Sequence, residues 1–292
     1  MEKQIFKTDG KMPIIEADNL TYTYPGAEKP SIREVSLKIE KGEFVLLTGP
    51  SGCGKTTLCR CFNGLIPHFY EGKLRGEIRV AGMNVAEHAI YELAKHVGLV
   101  FQNPENQLFA LSVEKDVAFG LENLGVPREE IRKRVDWALK VTDIYELRER
   151  PPYELSGGQQ QRVAIAAVLA MQPEVIVLDE PTSFLDPLGA KKIFEDIYRL
   201  NRKLGITIVL VEHRLDLTAK YANRIIIMDE GKIVLDGEPR KILVSEEAHL
   251  MGIGIPKVIR LYQFLKQRGK DLGEPPLSSE EIAKKLRERL GR

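Results

Sequence analysis

The sequence predicts an α/β protein whose mostly parallel sheet is flanked by helices. Short apolar runs typical of buried strands recur at 43–48, 175–179 and 206–211. The second and third runs are separated by a stretch with helical spacing near 187–203. Because parallel strands need a long crossover that is usually a helix, this alternation indicates one parallel sheet with helices outside it.

The N-terminal part of the chain predicts a smaller antiparallel arrangement. Residues 14–48 alternate apolar and polar positions in short runs, which break at Tyr24-Pro25-Gly26 and at Lys41-Gly42. The last of these runs leads straight into a glycine-rich loop. Helical spacing follows over 55–63, with Gly64 as the C-terminal stop. We therefore expect an antiparallel β subdomain beside the parallel sheet.

The middle of the chain has a helical pattern before the strands return. Residues 113–120 and 127–140 have helical spacing, and Pro127 suits a helix start. Further strands are predicted at 224–228 and 232–235. The middle segment is therefore expected to form a helical subdomain inserted into the α/β core.

The chain beyond residue 238 predicts a small helical extension. Residues 256–266 form one amphipathic helix, and Ser278 and Glu281 have the spacing of a capping box that starts a second. Such helices either pack on the body of the protein or face a partner. The predicted division is a core over 14–104 and 166–237, a helical subdomain over 105–165 and the extension over 238–292.

The composition excludes several classes of function. Lys and Arg (43) nearly balance Asp and Glu (42), so there is no general attraction for nucleic acid. No apolar run approaches the roughly 20 residues of a spanning helix, and the first four residues lack the apolar core of a signal peptide. The odd set of Cys53, Cys59 and Cys61 predicts packing residues, not a disulfide framework. We expect a cytosolic chain that reaches a membrane only through a partner.

A glycine-rich loop lies between a predicted strand and a predicted helix. Its sequence fits the pattern G-x-x-x-x-G-K-[ST], in which glycines let backbone N–H groups approach phosphates. Lys55 is placed to reach the β- and γ-phosphates, Thr56 to offer its hydroxyl to Mg²⁺, and Thr57 to lie near the α-phosphate. The predicted nucleotide-binding residues of this loop are Gly49, Pro50, Ser51, Gly52, Cys53, Gly54, Lys55, Thr56 and Thr57.

An apolar strand that ends in two acids supplies the complementary half. Residues 175–178 carry Asp179 to the carboxyl end of a strand, where a carboxylate can hold hydrated Mg²⁺. Glu180 is one residue further and points elsewhere, so it can orient or deprotonate the attacking water. Together with the loop, this pair predicts hydrolysis of a nucleoside triphosphate.

Three further residues are expected at the same edge of the sheet. Gln102 follows the apolar run 97–101, His213 follows the strand 206–211, and Asp186 lies shortly after the acid pair. Alone, each has an ordinary structural explanation. Their order places each at the carboxyl end of a strand, where open α/β sheets bind ligands.

The octapeptide from Leu155 to Arg162 is the most informative stretch of the chain. Ser156, Gly157 and Gly158 resemble a second surface that grips phosphate. They are too far from the glycine-rich loop to serve this chain's own nucleotide. Two chains that face each other would complete two sites, so the octapeptide predicts a nucleotide-bridged dimer.

Taken in order, these motifs resemble those of the ATP-binding subunits of ABC transporters over nearly the whole chain. The resemblance implies a RecA-like P-loop NTPase fold, with ATP and Mg²⁺ as cofactors. It also implies that Tyr24 stacks on adenine, with Tyr22 close by as the other choice. The motifs of this family correspond to Walker A at 49–57, the glutamine loop at Gln102, the signature at 155–159, Walker B at 175–180, the D-loop at 183–186 and the switch histidine at His213.

A narrower resemblance links the chain to the ATPases of energy-coupling factor transporters, the cobalt and vitamin importers. It rests on residues 101–108, on 114–125 and on the two C-terminal helices, which are similar to that family's dimer-stabilising extension. The D-loop differs in having Phe184 where a small residue is usual. The switch segment reads Glu212-His213-Arg214 where His-Asp is common. Neither difference removes a reacting group.

The resemblance implies roles and partners for this chain. The partners are a second ATPase subunit (a copy or a paralogue), an integral membrane coupling protein and a substrate-capture subunit, without nucleic acid, at the cytoplasmic face of the membrane. The implied catalytic residues are Lys55, Gln102, Glu180 and His213. The implied metal ligands are Thr56, Gln102 and Asp179. The implied nucleotide-binding residues beyond the glycine-rich loop are Tyr24, Gln102, Ser156, Gly157, Gly158 and Asp186.

Two alternatives remain open from the sequence. The first is a soluble ABC ATPase without a membrane partner, such as one that serves iron–sulfur assembly. The chain has neither the long coiled-coil insertion of repair ATPases nor the second cassette of translation factors, and residues 101–108 favour transport. The second is a non-catalytic regulatory cassette, which is disfavoured because every catalytic position is filled.

Overall fold

Residues 13–290 are described by the computed structural model, and they form two sheets surrounded by helices. The first twelve residues, on which the signal-peptide argument rests, lie outside this range. The strands are β1 Pro13–Thr23, β2 Ile32–Glu40, β3 Phe44–Thr48, β4 Lys73–Val80, β5 Met83–Asn84, β6 Val97–Val100, β7 Val175–Asp179, β8 Thr207–Val211, β9 Arg224–Asp229 and β10 Lys232–Gly237. The helices are α1 Lys55–Phe62, α2 Leu65–His68, α3 Ile90–Leu93, α4 Val113–Asn123, α5 Arg128–Val141, α6 Gly157–Ala170, α7 Pro187–Leu204, α8 Leu215–Thr218, α9 Pro239–Ile242, α10 Glu246–Leu250, α11 Lys257–Gln267 and α12 Ser279–Leu290.

The larger sheet has six strands in the order β10-β9-β3-β8-β7-β6. The five strands from β9 to β6 pair in parallel, and β10 adds an antiparallel edge. This arrangement confirms the prediction of a mostly parallel sheet. It also places the carboxyl ends of β3, β8, β7 and β6 side by side along one edge.

Both faces of this sheet are buried, which explains the continuous apolar runs of its strands. Consecutive strand residues point to opposite faces. Phe44 and Leu46 therefore lie in a core with the helices α4 to α7, whereas Val45 and Leu47 lie in a second core with α1 and the smaller sheet.

The smaller sheet has the order β2-β1-β4-β5 and its strand pairs are antiparallel. Of the antiparallel strands predicted over residues 14–48, β1 and β2 are antiparallel, whereas β3 at the end of this range pairs in parallel within the larger sheet. The strand β4 was not predicted, although its sequence alternates: Leu74, Ile78 and Val80 lie on one face, and the charged residues lie on the other. Of its eight residues, Ile78 and Val80 are buried.

The helix α6 packs against α4, α5 and β6. A Cβ atom on Gly98 of β6 would lie 2.1 Å from Cγ1 of Val168, so this glycine allows α6 to approach the sheet closely. Because α6 continues to Ala170, a subdomain boundary at 165 would divide one helix whose buried residues extend to its end.

The C-terminal helices pack on the body of the protein. Leu277 belongs to the large core, while Ile282 joins a small cluster with Tyr262. The predicted capping box is shifted by one residue. Glu281 donates its N–H to the Ser278 hydroxyl (3.2 Å), but its carboxylate accepts the N–H of Leu277 (3.0 Å) and is held by Arg240 (2.8 Å). Within 13–290, no helix is long and apolar enough to cross a bilayer.

Candidate nucleotide-binding site

The glycine-rich loop connects β3 to α1 and has a backbone that only glycine tolerates at two points. Gly49 has φ +144° and Gly54 has φ +105°. A Cβ atom on Gly49 would lie 2.0 Å from the carbonyl oxygen of Met228, and one on Gly54 would lie 2.4 Å from that of Ser31. The loop is therefore pressed against β9 and the start of β2. The first N–H groups of α1, which have no partner within the helix, face this loop.

Lys55 is buried, and its ammonium is held by the loop itself. The Nζ atom donates to the carbonyl oxygens of Gly49 (3.0 Å) and Pro50 (2.8 Å), and lies 3.7 Å from Sγ of Cys53. The structure thus brings the predicted lysine into the centre of the predicted loop. Because both of these acceptors are uncharged, the positive charge of Lys55 is not neutralised by them. This buried charge favours the binding of an anionic ligand.

Asp179, at the end of β7, is only 8% exposed. Burial raises the pKa of its carboxyl, Glu180 raises it further, and the Thr56 hydroxyl, Arg60 and Lys55 oppose the shift. A buried carboxylate beside a threonine hydroxyl presents the hard oxygen ligands that Mg²⁺ prefers. The structure therefore brings together two of the three predicted metal ligands.

Glu180 follows β7 and is held by three side chains. Gln102 donates an amide hydrogen to Oε2 (3.0 Å), Ser183 places its hydroxyl 3.1 Å from the same oxygen, and Nε2 of His213 lies 3.0 Å from Oε1. Glu180 has φ +48°, an uncommon left-handed conformation for glutamate. The N–H of Glu180 donates to Val211 of the neighbouring strand (3.1 Å), which secures this turn.

Two of the predicted catalytic residues, Gln102 and His213, thus contact the carboxylate of a third, Glu180. Ser183 was predicted as part of the D-loop, but its contact with Glu180 was not. The spacing of three residues, with the Ser183 hydroxyl also 3.1 Å from the Glu180 carbonyl oxygen, is a local hydroxyl–backbone pattern that could have suggested the contact.

The two tyrosines considered for adenine differ in exposure and in hydrogen bonding. Tyr22 is fully buried, and its hydroxyl donates to the carbonyl oxygen of Glu71 (2.7 Å). Tyr24 is partly exposed, and its hydroxyl lies 3.3 Å from that of Thr57 in the phosphate loop. Arg60, which the sequence did not single out, donates to the Tyr24 hydroxyl (3.0 Å). Tyr24 therefore remains the predicted base-stacking residue.

Ser156 begins the long helix α6 and caps it. The N–H of Gln159 donates to the Ser156 hydroxyl (3.4 Å), and the Ser156 N–H donates to the Gln159 side chain (3.0 Å). Ser156 and Gly157 are exposed, so the free N–H groups and positive end of the helix dipole face outward.

This helix start is separate from the phosphate loop of the same chain. The helix α1 packs on α2, β4 and β7, whereas α6 packs on α4, α5 and β6. None of the hydrogen bonds among residues 13–290 joins 155–159 to 49–57. The predicted binding residues of the chain therefore form two separate groups.

The loop after Glu180 leads from the end of β7 to the start of α7 and lies beside the start of α6. Asp186 caps α7 by accepting the N–H groups of Leu188 (2.8 Å) and Gly189 (2.9 Å). This contact gives Asp186 a structural role, and its predicted nucleotide contact stays a prediction. Phe184 is 67% exposed beside it. A cavity of about 320 Å³ is lined by Gln102, by Gly157 at the start of α6 and by Phe184.

The three cysteines are buried and free, as the packing prediction expected. Burial raises the pKa of Cys53, although the Lys55 ammonium opposes this shift. Burial also raises the pKa values of Cys59 and Cys61 well above the ordinary thiol value. Such thiols stay protonated and serve as small apolar residues.

Comparison with known proteins identifies the family. The family described as "ABC transporter" matches residues 32–183. A putative ABC transporter ATP-binding protein of Methanosarcina mazei is 47% identical over 279 residues, which cover 95% of this chain and 47% of the relative. The chain thus spans about half of that relative. The energy-coupling factor transporter ATP-binding protein EcfA1 of Caldanaerobacter subterraneus is 43% identical, covering 92% of this chain and 97% of the relative.

Solved structures agree with this assignment. CbiO1 of Clostridium perfringens, described as part of the ABC transporter complex CbiONQ, superposes with a TM-score of 0.74 and 36% identity over 89% of this chain and 98% of its own. The ATP-binding cassette MJ0796, in a dimeric post-hydrolysis state with ADP and phosphate, gives a TM-score of 0.67 and 32% identity over 77% and 99% of the two chains. The chain therefore belongs to the ABC transporter family as an ATP-binding subunit, and this family hydrolyses ATP.

Proposed function

We propose that this chain is the ATP-hydrolysing subunit of an importer of the energy-coupling factor type, and that it binds Mg-ATP at a dimer interface. One observation carries the proposal. The Glu180 carboxylate is already oriented by Gln102, Ser183 and His213, whereas the exposed helix start at Ser156 makes no hydrogen bond to the phosphate loop 49–57 among the described residues. A second copy or a paralogue supplies the missing wall.

Within one chain, the phosphate loop binds the triphosphate and Lys55 moves from its carbonyl partners to the β- and γ-phosphates. The Thr56 hydroxyl and the Asp179 carboxylate would hold hydrated Mg²⁺, which would neutralise phosphate charge. The amide oxygen of Gln102 is free to join them, because its nitrogen donates to Glu180. Tyr24 stacks on the adenine.

Glu180 then accepts a hydrogen bond from the attacking water and aligns it with the γ-phosphorus. His213 fixes the other carboxylate oxygen, so that the acid cannot rotate away. Across the interface, Ser156, Gly157 and Gly158 of the facing chain donate to the γ-phosphate through their hydroxyl and the helix N-terminus. ATP therefore holds the two chains together, and hydrolysis releases them. The dimeric ADP- and phosphate-bound cassette supports this scheme.

The importer assignment draws support from two relatives. One is named for the energy-coupling factor transporter, and the other is described as part of the CbiONQ complex. We infer that this chain lies at the cytoplasmic face of the membrane with an integral coupling protein and a substrate-capture subunit. The helical segment 105–165 and the extension 238–292 are the parts proposed to contact these partners and the second ATPase.

The substitution Glu180→Gln tests the catalytic part of the proposal. It preserves size and hydrogen bonding but removes the charge, so we expect ATP affinity within about twofold of wild type and hydrolysis at least about 100-fold slower. Light scattering should show an ATP-dependent dimer. Unchanged turnover would reject Glu180 as the catalytic carboxylate.

A second variant, Ser156→Arg, tests the interface. It places a bulky cation at the helix start without touching the phosphate loop. We expect ATP to bind the variant monomer normally, with no dimer formed and little hydrolysis. A variant that hydrolyses ATP at the wild-type rate would contradict the dimer proposal. Purification of the chain from membranes with its native partners would test the importer assignment.

A further inference from the structure

Glu212 and Arg214, on either side of His213, form a network that the catalytic scheme does not use. Glu212 is only 4% exposed. Its Oε1 accepts the N–H groups of His213 (2.9 Å) and Arg214 (3.0 Å), and its Oε2 accepts the hydroxyl of Thr182 (2.7 Å). This buried carboxylate therefore fixes the turn that carries His213 and ties it to the loop after β7.

Arg214 makes the reciprocal connection from the same turn. Its Nη2 donates to the carbonyl oxygen of Thr182, and its Nη1 donates to that of Leu185 (3.4 Å). Its Nε lies 3.7 Å from Oε1 of Glu212. The planar guanidinium thus spans the loop 182–185 at both ends, which a lysine ammonium could not do.

The loop held in this way lies next to both the Glu180 carboxylate and the start of α6. At one end, Ser183 contacts the Glu180 carboxylate (3.1 Å). At the other end, Leu185 packs under the start of α6, where its Cδ2 would lie 3.6 Å from a Cβ atom on Gly157. The turn of His213 and the Glu180 carboxylate are thus joined by hydrogen bonds to the loop 182–185, and Leu185 of this loop lies beside the helix start.

We propose that Glu212 and Arg214 are positioning residues that hold the loop 182–185 against the turn of His213. Through this loop, the position of that turn fixes the positions of Glu180 and of the start of α6. The inference rests on the proposed function, in which His213 serves the chain's own ATP and Gly157 serves the neighbour's. A change at the switch turn in one site therefore alters the helix that closes the other site. Neither residue touches ATP.

The substitution Arg214→Ala tests this role. Without the guanidinium the loop loses both carbonyl contacts, so we expect turnover to fall about 10- to 100-fold while ATP binding to the monomer stays within about twofold. Arg214→Lys should recover only part of the loss. In the Glu180→Gln background, Arg214→Ala should weaken ATP-dependent dimer formation at least about tenfold. Glu212→Gln should also lower turnover. The double variant Glu212→Gln/Arg214→Ala should lose no more turnover than the more affected of its two single variants, because the two residues act through the same loop.

Arg224→Ala is the matched control. Arg224 is also a partly buried arginine with carboxylate partners, Asp236 (2.5 Å) and Glu43 (3.4 Å), but these lie away from the switch turn. Below its melting temperature we expect this variant to keep wild-type turnover. Equal losses in Arg214→Ala and Arg224→Ala at matched stability, or wild-type turnover of Arg214→Ala, would overturn the inference. Failure of Glu180→Gln itself to dimerise would instead reject the proposed function.

Discussion

The Nε2 atom of His213 lies 3.0 Å from Oε1 of Glu180, across the loops that follow the neighbouring strands β8 and β7. A carboxylate can only accept, so the imidazole carries its proton on Nε2. Gln102 and Ser183 hold the other oxygen of the same carboxylate. The orientation of the catalytic carboxylate is therefore set by three side chains from three different loops.

His213→Ala should lower turnover about 100-fold, because Glu180 loses the contact on one of its two oxygens. ATP binding to the monomer should change little, and steady-state hydrolysis with calorimetric titration measures both. His96→Ala is the control. His96 makes an equivalent contact with Glu174 (3.0 Å), but at the amino ends of β6 and β7. Equal effects of the two substitutions would refute the catalytic role of His213.

Lys55→Ala should weaken ATP binding itself, since this buried ammonium supplies a charge that its two carbonyl partners do not neutralise. We expect a loss of at least about 100-fold, as for a buried charge-assisted contact. Lys41→Ala removes an exposed ammonium that pairs with Glu174 (2.6 Å) far from the loop, and should leave the affinity unchanged. An unaltered affinity of Lys55→Ala by calorimetry would contradict the phosphate-loop assignment.

Gly49→Ala should destabilise the protein by about 2 kcal/mol or more, because the new methyl group would lie 2.0 Å from a backbone carbonyl oxygen at φ +144°. Gly82→Ala provides the comparison. Gly82 also has a positive φ, +80°, but its Cβ would meet no atom within 4 Å, so about 1 kcal/mol is expected. Urea unfolding measures both, and equal losses would show that the close approach to Met228 is not important.

The sequence predicted the positions of Gln102, Glu180 and His213 because each follows an apolar strand of a parallel sheet. The pairing of such strands brings their carboxyl ends together whatever the loops do. The contact of Ser183 and the bridge made by Arg214 depend on loop conformation, including the left-handed φ of Glu180, which no periodicity encodes. The strand β4 was missed for a different reason, since its alternating pattern is short and contains Gly76, although the strand pairs with β1 along most of its length.

Asp179→Asn should raise the melting temperature of the nucleotide-free protein at pH 7 while it abolishes hydrolysis. Burial raises the pKa of Asp179 in the folded state above its unfolded value. At pH 7 the charged carboxylate therefore lowers the free energy of unfolding. This loss disappears as the pH falls through the folded pKa and the carboxyl takes up a proton. Asparagine has no such charge, so its stabilising effect should disappear near the unfolded pKa of about 3.9.

Glu174→Gln should have the opposite effect and serves as the control. Hydrogen bonds from Lys41 and His96 lower the pKa of Glu174, so its charge stabilises the folded state at pH 7. This contribution is lost as pH falls through the folded pKa, and glutamine lacks it throughout. Thermal melts from pH 3 to pH 8 measure both variants. A melting temperature of Asp179→Asn below that of wild type at pH 7 would show that the buried carboxylate is a net stabilising group, and that its site is not strained to receive a cation.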